Sequence, residues 1–156
     1  ALALEPDVVI ADEPTTALDV VVQSQVINLM KRLQQKMGLS VILITHDLNL
    51  IAELADKIAI MYAGKIVEFG PSETIYGSPL HPYTRGLLLS IPRLRGGSGK
   101  LEWIPGVPPN LVRPPPGCRF HPRCKHAMDI CKEKEPPPIE VEPGHTVACW
   151  LVAKKS

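Results

Sequence analysis

Apolar residues in the first seventy positions recur with two different periods. Residues 7–11, DVVIA, form a short run rich in β-branched side chains, and residues 40–45, SVILIT, form a second. Both are apolar on both faces, which predicts strands buried in a parallel sheet. Between them Val22, Val26, Met30, Leu33 and Met37 fall on one helical stripe, predicting a helix over 20–37 that stops at Gly38. Leu48, Ile51 and Leu54 share a face and predict a short helix over 47–55. KIAIMYAGKIVEFG, residues 57–70, reads as two short strands around Gly64, a hairpin. Strand, helix, strand, helix predicts an α/β fold with a parallel sheet. A short helix is expected over 72–76, and another from Pro82, at the first-turn position that proline favours, to Ser90. From Leu94 onward the pattern predicts little regular structure, and no internal repeat stands out.

Composition sharpens that division. Of 17 prolines, two (Pro6 and Pro14) precede residue 70 and fifteen follow it, and all four cysteines lie after residue 117. The chain therefore reads as an element-rich part, 1–76, followed by a loop-rich part, 77–156. Lys+Arg is 17 and Asp+Glu 16, a formal charge of +1, which argues against a broad basic surface for nucleic acid. Apolar runs fall well short of the roughly 20 residues that span a bilayer. No basic segment precedes an apolar core at the start, as a signal peptide would require. ALALEPD reads as the tail of a helix already under way, so the chain is expected to be a C-terminal piece of a longer protein.

The candidate chemistry lies where the apolar runs end. In an open α/β sheet, ligands sit beyond the carboxyl ends of the strands. Asp12 and Glu13 occupy that end of the first run, in VVIADEP. An Asp there suits Mg²⁺, a hard cation that keeps most of its waters. The adjacent Glu points the other way along the pleat and could take a proton from an attacking water. The second run ends in Thr45–His46, at the same edge of the sheet. Two carboxylates and an imidazole so placed predict a phosphate-hydrolysis site. The plain alternative is a solvated loop with His46 beside a helix N-cap.

Taken in order, VVIADEP, TTALD and ITHDL resemble the ATP-binding-cassette ATPases. VVIADE is similar to the Walker B strand with its catalytic glutamate, ALD to the D-loop, and His46 to the switch histidine. The resemblance implies that Asp12 holds Mg²⁺ through water, Glu13 polarises the attacking water, and His46 contacts the γ-phosphate of ATP. It implies that Asp19 sits at the interface with a partner subunit. Such sites work mainly by positioning and charge neutralisation.

Two parts of that pattern are absent from the sequence. RGGSGKL, residues 95–101, fails as a phosphate loop: Leu94 stands in the first glycine position, Leu101 replaces Ser/Thr, and no strand precedes it. It reads as a flexible linker. No LSGGQ-like signature is present either. The chain thus resembles the C-terminal portion of a P-loop cassette sheet, the part that follows the signature, with an extension.

The extension carries its own motifs. GSPLHPYTRGLL, residues 77–88, resembles a segment of the di- and oligopeptide branch of the cassette importers, which includes nickel importers; a proline-capped surface helix is the plain alternative. AGKIVEFGP matches the same branch, and TTALDVVVQ leans toward the D-type of its two paired ATPases.

Cys118, Cys124, Cys131 and Cys149 are separated by five, six and seventeen residues. Disulfides do not suit the cytosolic compartment that an ATPase implies. Structural zinc favours close pairs such as C-x₂-C, and there is none. Four thiolates in a proline-rich loop could instead wrap a [4Fe–4S] cluster. Zinc with mixed ligation, drawing on His121, His126 or His145, stays open, as do four free thiols. The resemblance of CRFHPRC…C…HTVAC to the cysteine cluster of the peptide-importer extension favours iron–sulfur.

The resemblance as a whole implies an ATPase subunit at the cytoplasmic face of the membrane. It would pair with a second ATPase, dock on a permease pair and receive solute from an extracellular binding protein. A metal- or redox-sensing module on an inactive cassette fragment is a second reading, and a soluble cassette ATPase outside transport is a third.

Overall fold

The computed structural model describes residues 1–90 and 103–153. The linker expected at 95–101 lies outside the described residues. The chain divides into two compact units, Ala1–Leu54 and Ala55–Ser156.

The first unit holds β1 (Val8–Asp12), α1 (Val20–Met37), β2 (Ser40–Ile44) and α2 (Leu48–Leu54). β1 and β2 pair in parallel, in register from Val8↔Ser40 to Asp12↔Ile44, so both strands end at one edge. A parallel pair needs a crossover, and α1 supplies it. Asp19 caps α1, its carboxylate accepting from the Val21 and Val22 amides, and Gly38 ends it in the left-handed conformation. The strands form as the apolar runs predict, but no residue in either is buried. Val8, Ile10, Ile42 and Ile44 alternate onto one exposed face, because two strands alone leave one side of the sheet without a cover among the described residues. Ile27, rather than the predicted stripe, is the buried residue of α1, and Leu50 that of α2. The opening residues make only a turn, Glu5 N–H donating to Leu2 O at 3.1 Å, where a helix tail is expected from the sequence.

The second unit holds β3 (Lys57–Tyr62), β4 (Lys65–Pro71), α3 (Ser72–Gly77), α4 (Pro82–Leu89), α5 (Asp129–Glu133), β5 (Ile139–Glu142), β6 (His145–Val147) and α6 (Trp150–Ala153), with a 3-10 turn at His121–Arg123. Its antiparallel sheet runs β3-β4-β6-β5. Ala63 and Gly64, at φ 49° and 79°, form the hairpin turn between β3 and β4. Positive φ at both central residues matches the right-handed twist of the flanking strands. Ile58, Ile60 and Tyr62 alternate into the core with Val67, Ile75, Phe120 and Val147. β5, β6 and three short helical segments occupy the region expected to be irregular. β6 pairs with β4, so the hairpin shares its sheet with a strand that lies between Cys131 and Cys149 in sequence. Among the described residues no helix is long and apolar enough to cross a membrane.

Candidate functional site

Three groups of side chains stand out. The first is the carboxyl edge of the parallel pair. Glu13 follows β1, and its amide donates to Ile44 O at 2.8 Å, tying the two strand ends together. That places Glu13 at φ 48°, in the left-handed region that non-glycine residues rarely adopt. Its carboxylate is engaged on both oxygens, Oε1 by His46 Nδ1 at 2.8 Å and Oε2 by the Thr16 hydroxyl at 3.0 Å. The donors on His46 and Thr16 hold the Glu13 carboxyl below its ordinary range, and Glu13 in turn raises the His46 imidazole. The His46 side chain is nonetheless 82% exposed, open to a ligand from solvent. Asp12 is exposed at the end of β1, and its carboxylate makes no hydrogen bond to another described residue. Asp19 is spent on the α1 cap in this chain. Asp47 caps α2, accepting from Asn49 N at 2.9 Å. Asp before an apolar helical stripe is a capping signal, and at Asp19 the motif resemblance overshadowed it.

The second group is the cysteines. All four are free thiols. Cys118 N–H donates to Cys131 O at 2.8 Å, and Cys118 O accepts from His121 N–H and faces His121 Nδ1, each at 2.9 Å. Cys124 closes the 3-10 turn onto His121 O at 3.2 Å, and Cys149 opens α6. Gly117 has φ 66°, and a Cβ there would meet Cys131 O at 2.4 Å, so the approach of these two segments requires glycine. Burial pushes the Cys118 thiol up to about 11, with further upward pressure from Cys131, Cys149 and Cys124. Burial also raises Cys124 and Cys149. The backbone bond from Cys118 to Cys131 brings two of the four cysteines side by side. Among the described residues, no three His, Cys, Asp or Glu side chains stand together as a metal-holding group.

The third group was not singled out from the sequence beyond its HPYT motif. His81 caps α4 through its side chain, Nδ1 accepting from Tyr83 N at 3.0 Å, and Pro82 opens the helix. Tyr83, Tyr62 and Phe120 pack with ring centroids 4.7–5.4 Å apart. The Thr84 hydroxyl is buried and finds no partner among the described residues. Glu68, fully buried, accepts from the Leu80 and His81 amides and pairs with His145 Nε2 at 2.9 Å. His145 Nε2 is thus held by a carboxylate. Arg119 donates to Ala63 O at the hairpin turn, and Arg123 donates to Pro105 O, Ile104 O and the Tyr62 hydroxyl. The two arginines of CRFHPRC therefore fasten the cysteine segment to the hairpin.

Comparison with known proteins finds relatives over nearly the whole chain. Residues 67–131 match a family described as the oligopeptide/dipeptide transporter, C-terminal region. The dipeptide transport ATP-binding protein DppD of Bacillus subtilis is 52% identical over 151 residues, covering 97% of this chain and 45% of its own. The oligopeptide transport ATP-binding protein OppD of the same organism is 52% identical over 153 residues, 97% of this chain and 43% of its own. That of Salmonella typhimurium is 47% identical over 151 residues, 96% of this chain and 44% of its own. The chain matches the C-terminal part of a peptide ABC ATP-binding subunit. It spans less than half the length of these relatives. The stretch matched to the peptide-transporter C-terminal region begins at Val67 inside β4 and ends at Cys131 in α5, so it takes in Glu68, the HPYT turn and three of the four cysteines.

Proposed function

We propose that the chain supplies the hydrolytic edge and C-terminal extension of an ATP-binding-cassette subunit that energises uptake of di- or oligopeptides or a related solute. The subunit works at the cytoplasmic face of the membrane, paired with a second ATPase on a permease pair that takes solute from an extracellular binding protein. The observation that carries the reading is the 2.8 Å contact of Glu13 with His46 at the carboxyl ends of adjacent parallel strands. That edge is where an open α/β sheet binds phosphates. Asp12, exposed beside it, is the residue to hold Mg²⁺ through water, and Mg²⁺ neutralises charge on the phosphates. Glu13 is held ionised and acceptor-ready by its two donors, and orients the attacking water. His46 is exposed enough to turn its imidazole toward a γ-phosphate. Asp19 sits at the partner interface in the paired subunit.

The test is Glu13→Gln in a complete subunit containing this chain. ATP binding by calorimetry is expected to survive, while turnover falls roughly 10²–10⁴-fold, the usual contribution of a positioned base. Turnover near wild type would remove Glu13 from that role.

Cys118, Cys124, Cys131 and Cys149 are further proposed as ligands of a [4Fe–4S] cluster, with zinc as the alternative. Their donor chemistry fits: four unpaired soft thiols suit iron–sulfur or zinc over hard cations. The thiols must draw closer together and lose protons that burial helps them keep, so loading releases acid. Bound metal would add folding energy to the segment that carries them. Metal analysis of anaerobically purified protein decides between them. About four irons per chain supports the cluster, one zinc per chain replaces it, and neither metal defeats both.

A further inference from the structure

Glu68 is the one buried carboxylate among the described residues, and three donors converge on it. Leu80 N–H reaches Oε1 at 2.8 Å, His81 N–H reaches Oε2 at 3.0 Å, and His145 Nε2 lies 2.9 Å from Oε1. The first two belong to the turn that opens α4, and the third to β6. A buried carboxylate is costly unless its lone pairs are matched, so removing any donor weakens the hold on the rest.

The backbone ties the same strand to the cysteine segment. Glu68 pairs in register with Val147, and Ala148 N–H donates to Val67 O at 2.9 Å. The next residue is Cys149, buried at the start of α6. The His145 ring lies against the strand at Gly70, where an added Cβ would meet its Cδ2 at 3.1 Å. Only an acceptor-only group satisfies three donors here. The amide of a glutamine would turn an N–H toward one of them.

We infer that Glu68 is a positioning residue that couples the HPYT turn to the strand leading into Cys149, so that a disturbance at either end is felt at the other. The coupling is reciprocal, as any equilibrium coupling must be, and it stands on the metal-free chain whatever the cysteines bind.

Hydrogen exchange by mass spectrometry and iodoacetamide labelling of the whole chain test it. His145→Leu removes a donor on β6 only, because leucine fills the site without an N–H. It is expected to speed exchange of the Leu80 and His81 amides, on the far side of Glu68, roughly tenfold, the loss of one charge-assisted hydrogen bond. Cys149 should label faster as well. The Arg123 and Lys134 amides and the Cys124 thiol should stay within about twofold of wild type, as uncoupled sites do. Glu68→Gln should give the same pattern with larger amplitude, and if that variant does not fold, His145→Leu alone decides. Unchanged Leu80 and His81 amides in His145→Leu overturn the inference. So does uniform acceleration across the unit, which is global destabilisation rather than coupling.

Discussion

Ala1–Leu54 and Ala55–Ser156 are both built on short strands, yet they bury them differently. β1 and β2 are apolar on both faces, and Val8, Ile10, Ile42 and Ile44 remain 51%, 66%, 53% and 48% exposed. β3 alternates, and its inward residues Ile58, Ile60 and Tyr62 are 4–6% exposed. A two-faced strand needs a cover on each side, whereas an alternating strand needs one. The second unit supplies its own cover from Ile75, Phe120 and the rings of HPYT. The contrast separates what a unit's sequence encodes from what the unit itself satisfies, and it makes the two respond differently to the same substitution.

The largest effect is expected from truncating the second core. Phe120 is 3% exposed and packs on Tyr62, Tyr83 and His81. Phe120→Ala should cost about 3–5 kcal/mol. Ile10→Ala, at an exposed strand position, should stay within about 0.5 kcal/mol. Urea unfolding followed at Trp150, whose indole N–H donates to Lys134 O, reads the first, and hydrogen exchange of β1 amides the second. A loss under about 1 kcal/mol at Phe120 would erase the contrast.

Two glycines of the same φ sharpen the comparison. Gly38 and Gly117 both have φ 66°, but an added Cβ meets nothing within 4 Å at Gly38 and Cys131 O at 2.4 Å at Gly117. Gly38→Ala should cost about 1–2 kcal/mol, the left-handed penalty alone. Gly117→Ala should cost about 3 kcal/mol or more, because backbone overlap adds to that penalty. Equal thermal shifts for the two would show that the Cys118–Cys131 approach is not enforced.

The pattern and the chemistry were unequally legible in the sequence. α1, the hairpin, α3 and α4 follow from periodicity, Gly38, Gly64 and Pro82, all local signals. β5 and β6 were missed although IEVEPGHTV carries alternation and a Pro143–Gly144 turn, because surrounding prolines masked strands of four and three residues. Burial of β1 and β2 was overpredicted because a strand's composition says what it can bury, not what covers it. The Glu13–His46 contact was half legible: the strand ends implied a shared edge, but the left-handed turn at Glu13 that closes the contact is a tertiary effect. Glu68 had no local signal, since a lone glutamate in KIVEFG reads as a solvent-facing strand residue.

Protonation distinguishes the units next. Burial holds His81 down to about 4 and lifts Cys118 to about 11. Unfolding below pH 6.5 lets His81 bind a proton that the fold resists, so stability of the second unit should fall as pH drops from 6.5 toward 4. Unfolding above pH 9 lets Cys118 release one, so stability should also fall as pH rises from 9 toward 11. His81→Gln should flatten the acid limb and Cys118→Ser the alkaline limb of the Trp150 unfolding midpoint. Limbs unchanged in both variants would assign the pH dependence elsewhere.

The smallest effect lies at the exposed pair of the first unit. Glu13 raises His46, and His46 lowers Glu13. A raised histidine stabilises the fold fully below its ordinary value of 6.5 and loses that contribution as pH climbs through its folded value. A lowered carboxyl stabilises above its ordinary value of 4.5 and loses the contribution as pH falls through its folded value. The pair is therefore at full strength between 4.5 and 6.5. Both groups face solvent, so salt should screen most of their attraction and the stability change should be slight. The proton titration itself is the sharper measure. The His46 ring resonance should titrate above 6.5 in the wild type. Glu13→Gln should bring it back toward that ordinary value, because the amide keeps a hydrogen-bonding oxygen but loses the charge. Thr16→Ala should leave the His46 midpoint nearly where it was, since Thr16 bonds the other carboxylate oxygen. A His46 midpoint that ignores the Glu13 substitution would break the pairing on which the proposed hydrolytic edge rests.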